Sequence, residues 1–387
     1  MSKNNTIIRA SNSNSKLRFY IIGFCLALVL LNFSSLSTAS EIGQSEFETN
    51  IRDDKKKTIA PTLEHVTSVS DQNADLFIVE NTAYICQYNG SIWIFDITDP
   101  INPITLGTYQ DRGGAPHGLY VENDILYCAS WGSGLLLIDV SDPANPTQIG
   151  QYLDGADSCT VVVDDDIAYI GNWDAGLHIV NVSDPSHITL MSRFSDPDYL
   201  ISNVVVQEKI AMITDTDLND GDLLFVNVSD PYNPVAFSYV YQGGIACNLL
   251  VRDDLLFLCD WDAGLVILNI SDYGNITVVT SITSRKMVAA ANLVLVDEIL
   301  YITDWEEGLF IYDISDLHNP KKIGSYSIYK ASPIFVIGNY AYISSYAEGF
   351  IILDITTLGI SPLFIIVPSI VGALAISGIL LWKVKKK

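Results

Sequence analysis

The sequence predicts an all-β fold, a seven-bladed β-propeller, because one short segment recurs along most of its 387 residues. Residues 134–143 read Gly-Leu-Leu-Leu-Ile-Asp-Val-Ser-Asp-Pro, and the first Asp returns as Asp or Asn at intervals of 41 to 46 residues. A period of this length with several short apolar runs is typical of a propeller blade, a unit that cannot bury its own faces. Seven copies therefore predict seven blades. The recurring residues are Asp96, Asp139, Asn181, Asn227, Asn269, Asp313 and Asp354.

Each repeat predicts four short strands. In one unit they fall at residues 102–109, 118–121, 125–130 and 134–140, and each is bounded by Gly, Pro, Asn or Asp. Their nearly continuous apolar runs favour sheets that are buried on both faces between neighbouring sheets. The Ser-Asp-Pro-x-Asn-Pro connector predicts a turn in which Pro fixes φ and the Ser and Asp side chains bond the local backbone.

The count of strands predicts how the ring closes. We call the strands of a blade a, b, c and d in chain order, so that d follows the Ser-Asp-Pro connector. Strands a, b and c occur seven times, but d follows c only six times. Residues 61–69 resemble strand d at residues 146–152, and we expect them to complete the blade made by residues 333–355. Such an N-terminal closing strand removes open sheet edges that would invite aggregation.

The two ends of the chain carry apolar segments outside the repeats. Residues 19–33 are apolar, follow two basic residues and precede Ser-Thr-Ala, so residues 1–39 predict a signal peptide. Residues 40–60 are polar and mixed in charge, which predicts a linker before the propeller at residues 61–357.

The C-terminal segment predicts a single transmembrane helix. Residues 362–382 carry no charge and are long enough to cross a bilayer, and the lysine-rich tail at residues 383–387 favours the cytoplasmic side. Both ends together predict a single-pass type I protein of the cell membrane, with residues 40–360 extracellular.

The charge of the outer region excludes one class of partner. Eight of the 21 basic residues lie outside residues 40–360, which leaves a net charge of −32 there. A surface this acidic repels phosphate backbones, so we expect no nucleic-acid partner. Binding of cations, binding of cationic partners and simple solubility remain as explanations of this negative charge.

The repeats resemble the LVIVD repeat family, whose name echoes the runs Leu-Leu-Leu-Ile-Asp-Val at 135–140, Leu-His-Ile-Val-Asn-Val at 177–182 and Leu-Val-Ile-Leu-Asn-Ile at 265–270. The resemblance covers about residues 61–357. It implies a β-propeller of bacterial and archaeal surface or secreted proteins, and it brings no catalytic motif. The fifth and sixth units depart from it because they lack Pro after Ser-Asp.

The end of each strand b carries the residues that suggest binding. In an antiparallel blade the b-to-c and d-to-a connections share one face of the ring, and strand c of the last blade leads from the other face towards the predicted membrane segment. Aromatics beside acids and amides can bind a sugar, or a cationic group. The alternative is that the aromatics wedge between blades while Asp or Asn caps the turn. The candidate ligand-binding residues on this face are Trp131, Trp173, Trp261, Trp305, Asn172, Asp260 and Asp304.

Two departures from the repeat suggest further chemistry. The first is the acidic loop at residues 215–222, three residues longer than its counterparts, where Asp215, Asp217, Asn219 and Asp222 place oxygen ligands suited to Ca²⁺. It is not an EF-hand, and a solvated acidic turn is the alternative. The second is His117, which ends a Gly-Gly-Ala-Pro-His segment near the central channel and is either a ligand-binding or a structural histidine.

These observations predict a binding or adhesion module whose partner is a surface protein or glycan. The five cysteines after residue 39 lack Cys-x-x-Cys spacing, so zinc and redox motifs are absent and buried thiols are expected. No short catalytic signature is present. An extracellular hydrolase or lyase with Ca²⁺ and His117, and a structural cell-surface component that self-associates through its blade rims, are the alternatives.

Overall fold

The computed structural model describes residues 73–356, apart from 154, 156, 196–199, 216–221, 242–244, 262, 284–286 and 288. Twenty-seven strands form seven antiparallel sheets, six with four strands and the seventh with three, within this part of the chain. In every sheet consecutive strands are neighbours, so the predicted order a, b, c, d within a blade is confirmed.

The first three blades are β1 (Asn73–Val79), β2 (Thr82–Gln87), β3 (Ser91–Asp96) and β4 (Ile104–Gln110); β5 (Ala115–Glu122), β6 (Ile125–Trp131), β7 (Gly134–Asp139) and β8 (Thr147–Tyr152); and β9 (Ser158–Asp164), β10 (Ile167–Asn172), β11 (Gly176–Asn181) and β12 (Thr189–Phe194). The next two are β13 (Ile201–Gln207), β14 (Ile210–Asp215), β15 (Asp222–Asn227) and β16 (Val235–Tyr241); and β17 (Ala246–Arg252), β18 (Leu255–Asp260), β19 (Gly264–Asn269) and β20 (Thr277–Ile282). The last two are β21 (Ala290–Val296), β22 (Ile299–Asp304), β23 (Gly308–Asp313) and β24 (Lys321–Tyr326); and β25 (Ala331–Ile337), β26 (Tyr340–Ser345) and β27 (Gly349–Asp354).

The first strand of each blade lies innermost and joins the blades into a ring. Each of these strands contacts the first strand of the next blade, and β25 contacts β1. Across that last junction Phe77 and Phe335 lie 6.0 Å apart between ring centroids, and Phe95 and Phe350 lie 5.9 Å apart. The seven-bladed ring is therefore closed by packing between its first and last blades. Residues 61–69, which the sequence predicts as the fourth strand of the seventh blade, lie outside the described residues.

Burial follows the position of a strand within its blade. Strands b and c are buried along almost their whole length, as at Leu135 and Ile138, because another sheet covers each of their faces. Strand d differs from the expectation of continuous burial. Its side chains are largely exposed, for instance Ile104 at 62% and Val235 at 59%, because the blades diverge towards the rim.

The turns of the repeat have identifiable local causes. The two-residue a-to-b hairpins place residues such as Asn123 and Asp124 at φ of 51° and 61°, which the primed turns of hairpins require and which Asn and Asp tolerate. In the c-to-d connector the Asp139 carboxylate accepts the Ser141 N–H at 2.9 Å, and Asp142 accepts the Ala144 N–H at 3.1 Å. The expected bonding to the backbone is found for the connector Asp, whereas a connector Ser hydroxyl, as at Ser183, bonds the side chain of Asn181.

Within the described residues there is no helix of the length and apolar character that a membrane crossing needs. The segments that the sequence predicts as signal peptide, linker, transmembrane helix and cytoplasmic tail all lie outside those residues.

Candidate ligand-binding face

The b-to-c hairpins and the d-to-a connections meet on one face of the ring, which we call the hairpin face. At this face a buried polar residue lies at the end of each strand b, or one residue before the end in β6, and the residue after it is a half-buried aromatic in every blade except the fourth, where residue 216 lies outside the described part. The six aromatics are Tyr88, Trp131, Trp173, Trp261, Trp305 and Tyr346.

The polar residues at these strand ends hold the hairpins together. Asp304 accepts the N–H groups of Glu306 and Glu307 through Oδ1, both at 2.9 Å, and that of Ala289 through Oδ2 at 2.9 Å. Asp260 Oδ1 accepts the Ala263 N–H at 2.6 Å. All these carboxylates are fully buried, which agrees with the capping interpretation. Their contact with a ligand stays a prediction.

Asn172 has the same capping position in the third blade. Its Oδ1 accepts the Ser158 hydroxyl at 2.9 Å, and its Nδ2 donates to the Gly176 carbonyl at 3.1 Å. The amide therefore links strands a, b and c of one blade at their ends. It too is fully buried beneath the hairpin face.

The aromatic side chains touch one another around the ring rather than standing apart. The His117 ring stacks on Trp131 with centroids 4.7 Å apart and an interplanar angle of 22°, and Trp131 lies 5.0 Å from Trp173. On the other side Tyr88 lies 5.1 Å from His117.

The chain of contacts continues into the last two blades. Tyr88 lies 5.9 Å from Tyr346, which lies 6.1 Å from Trp305. We call this set the aromatic collar, and it runs through blades six, seven, one, two and three. Its members are Trp305, Tyr346, Tyr88, His117, Trp131 and Trp173. Trp261 makes no ring contact with any collar member among the described residues.

His117 belongs to the collar because of a β-bulge. The register of β5 shifts between Pro116 and Gly118, so His117, the residue between them, has no pairing partner in β6. Its Nε2 lies 3.3 Å from the Tyr88 hydroxyl. Burial lowers the pKa of His117 to about 4, against a smaller opposing effect of hydrogen bonding to the Cys159 backbone. The ring is therefore neutral at physiological pH and acts as an aromatic and hydrogen-bonding group.

The glycines before His117 make room for a buried carboxylate. Asp111 accepts the hydroxyls of Ser130 at 2.6 Å and Ser133 at 2.9 Å, together with the Gly113 N–H at 3.0 Å. A Cβ on Gly114 would lie 2.6 Å from Asp111 Oδ2. The Gly-rich segment thus fits around Asp111 and fixes the d-to-a connection that leads into the collar.

Lys330 is a member of this face that the sequence reasoning missed. It is only 6% exposed, and its ammonium lies 4.8 Å from the Tyr346 ring centroid and 5.8 Å from that of Trp305. Its backbone is left-handed, with φ of 56°. A comparison of the repeats could have found it, because the corresponding positions hold no other basic residue. Those residues are Gln72, Ala115, Asp157, Leu200, Ile245 and Ala289.

The predicted Ca²⁺ loop is only partly within the described residues. Asp215 is buried at the end of β14 and accepts the Leu200 N–H at 2.9 Å, while Asp222 begins β15. Asp217 and Asn219 lie outside the described residues. No group of three potential metal ligands occurs in the part of the chain that is described. Calcium binding at this loop stays a prediction.

The cysteines lie on strands a and b, and Cys86 and Cys259 directly precede the polar residues that end their strands. Of the five within the described residues, all except the half-buried Cys247 are buried. Burial raises the pKa values of Cys86, Cys128 and Cys259 well above the ordinary value, so these thiols are protonated. This arrangement agrees with the expectation of buried thiols.

The fold and the collar define a class, the β-propeller repeat proteins, in which each blade is one sequence repeat. The chain belongs to the LVIVD repeat family, whose model matches residues 72–111, 113–154, 155–196, 243–284, 289–328 and 330–361. The resemblance stated from the sequence is confirmed. The six matches include the fifth and sixth units, which lack Pro, and omit the fourth blade, whose b-to-c loop is the longest.

Solved structures share the fold at low sequence identity. The β-propeller domain of Cps50 (Swd1) from Myceliophteria thermophila matches with a TM-score of 0.62 and 9% identity, over 75% of this chain and 98% of that one. Sqt1 of Saccharomyces cerevisiae matches with a TM-score of 0.54 and 10% identity, over 74% and 85%. BamB of Moraxella catarrhalis matches with 0.52 and 13%, over 74% and 84%. No curated protein sequence matches this chain.

Proposed function

We propose that this protein is a membrane-anchored extracellular propeller that acts as a binding and adhesion module, with a surface glycan as its partner on the hairpin face. The observation that carries the proposal is the aromatic collar, which extends over five consecutive blades and remains half-exposed. Aromatic rings with a polar edge offer a sugar both an apolar face and hydrogen bonds.

The direction of the chain supports the choice of face. Strand β27 ends at Asp354 on the side of the c-to-d connectors, opposite the hairpin face. The sequence places a candidate transmembrane helix only a few residues later, at 362–382. A propeller anchored from that side presents the collar away from the bilayer. The signal-peptide pattern of residues 1–39 agrees with this topology.

The experiment is a binding screen with the full-length chain purified in detergent. It is applied to an array of glycans, and the best ligand is then titrated against the wild type, Trp173→Ala and Trp305→Ala. We expect each variant to weaken binding by about fivefold, since losing one stacking ring removes on the order of 1 kcal/mol.

The matched control is Tyr239→Ala, which removes an aromatic ring that is 73% exposed on the outer strand β16. It should bind like the wild type. Equal binding by all three variants, with unchanged melting temperatures, would place the ligand elsewhere and remove the collar from the proposal.

A further inference from the structure

Lys330 is a largely buried lysine whose ammonium group has no acidic partner among the described residues. No carboxylate of the described residues lies within 4.0 Å of its ammonium group, whereas Lys209 in the fourth blade has two at 2.8 Å. The residue as a whole is 6% exposed, yet its Nζ keeps access to solvent and therefore to a ligand. The nearby Glu348 is engaged elsewhere, because its Oε1 accepts the Tyr329 N–H at 2.6 Å.

Three aromatic rings surround the ammonium group instead. Its distance is 4.8 Å to the Tyr346 centroid, 5.4 Å to that of Tyr329 and 5.8 Å to that of Trp305. All three fall within the range of a cation–π interaction. This attraction holds the cation but leaves its net charge uncompensated, at one end of the collar.

The backbone of Lys330 shows that this position is held in place. The left-handed φ of 56° is unfavourable for a lysine. Two hydrogen bonds fix it: the Lys330 N–H donates to the Trp305 carbonyl at 2.7 Å, and the Tyr346 N–H donates to the Lys330 carbonyl at 3.1 Å. The lysine is therefore locked between two collar residues of blades six and seven.

From these contacts we infer that the collar selects a sugar acid, whose carboxylate pairs with Lys330 while its ring stacks on the adjoining aromatics. This inference rests on the proposed glycan binding and names the chemical class of the ligand. A carboxylate supplies the counter-charge that the described residues do not, in a site where low polarity strengthens the ion pair.

The overall negative charge of the chain does not oppose this selection at short range. The acids of the hairpin face that are exposed, such as Asp174 and Glu348, interact with a ligand through solvent. Their repulsion is screened over about 8 Å at physiological ionic strength, whereas a buried contact is screened much less. Binding of a sugar acid should therefore persist, or tighten, as the salt concentration is raised to physiological ionic strength.

The test compares acidic oligosaccharides with neutral counterparts of the same backbone. The full-length chain in detergent is titrated with tetragalacturonic acid and its methyl ester, and with glucuronic-acid and sialic-acid oligosaccharides and their neutral forms. We expect the wild type to bind at least one acid about tenfold more tightly than its uncharged form. Lys330→Met should abolish that ratio and keep the weaker binding, because it retains the aliphatic stem and the same backbone strain.

Two further variants separate the contribution of the Lys330 charge from that of the aromatic rings. Lys330→Arg keeps the charge and should retain part of the ratio, whereas Trp305→Ala should weaken acid and neutral forms together. A purely structural lysine would change the melting temperature in Lys330→Met without changing the ratio, which would overturn the inference. Equal binding of acids and neutral forms by the wild type would overturn it and leave glycan binding standing. If no saccharide binds at all, both the inference and the proposed function fail.

Discussion

The side chain of Asp75 shows how single residues join the blades. It directly follows the β-bulge of β1, and its carboxylate accepts the Leu76 N–H at 2.9 Å and the N–H of Leu119, in the next blade, at 2.8 Å. Burial raises the pKa of Asp75 to about 7, against the opposing effect of these hydrogen bonds. The bulge residue itself, one position earlier in the repeat, is His117 in the second blade and Cys159 in the third, whose thiol donates to the Ile201 carbonyl at 2.9 Å. Residues at or beside the bulges therefore link the first blade to the second and the third to the fourth.

The raised pKa of Asp75 predicts a pH-dependent stability. Because the folded state binds the proton more tightly than the unfolded chain, this contribution is complete below about pH 4 and is lost as pH rises through about 7. We expect the melting temperature of the wild type to fall between pH 5 and pH 8 more steeply than that of Asp75→Asn. Glu80→Gln, which removes an exposed charge from the same blade, should keep the wild-type slope. Parallel slopes for all three proteins in thermal unfolding would contradict this assignment.

At the scale of the strand, one residue of strand d packs against the c-to-d connector of the next blade. It is the residue that pairs with the middle of strand c. In the first two blades this residue is Gly107 or Gly150, and a Cβ there would overlap the carbonyl of Pro143 or Pro185. In the third blade Ser192 has this position and its hydroxyl donates to the Pro231 carbonyl at 2.6 Å. The Ser-Asp-Pro connector therefore serves two blades, its own and the one before it.

This close approach predicts the effect of adding one methyl group. Gly107→Ala should destabilise the fold by about 1–3 kcal/mol, since the connector of the second blade must move. Ser192→Ala keeps its Cβ and loses only one hydrogen bond, which costs about 1 kcal/mol. Chemical denaturation of both variants measures the difference. A Gly107→Ala protein as stable as the wild type would show that the two blades can separate at the rim.

At the scale of the whole molecule, the seventh blade has three described strands, so the way in which the ring is closed depends on what completes this blade. The first and last blades are already in contact through β1 and β25. The sequence predicts that residues 61–69 add the fourth strand to the seventh blade. Such a strand would cover the outer edge of β27 and complete its ladder.

Proline substitutions test that predicted strand. Because Pro donates no N–H to a ladder, replacing both Val66 and Thr67 by Pro should lower the melting temperature by several degrees. The same double change at Lys56 and Lys57, in the predicted linker, should leave the melting temperature unchanged. Equal effects of the two double substitutions on thermal unfolding would show that residues 61–69 do not pair with β27.

Much of the fold could be predicted because its signals are local. The 41- to 46-residue period, the order of four strands and the Asx-bonded connectors depend on neighbouring residues in the chain, and each is found in the described structure. The aromatic positions at the ends of strand b were found in the same way. Asp111 and Asp75 could not be assigned from the sequence, because their partners Ser130 and Leu119 belong to the next blade.

By itself the sequence determined the repeat, the number of blades, the family and the residues that meet on one face. Only the tertiary structure decided which of those residues touch. It joined His117 to Trp131 and Tyr88, left Trp261 outside the collar among the described residues, and placed Lys330 between Trp305 and Tyr346. The physical reason is that a periodic pattern fixes each strand within its own blade, whereas a binding surface depends on packing across blades that are distant in the chain.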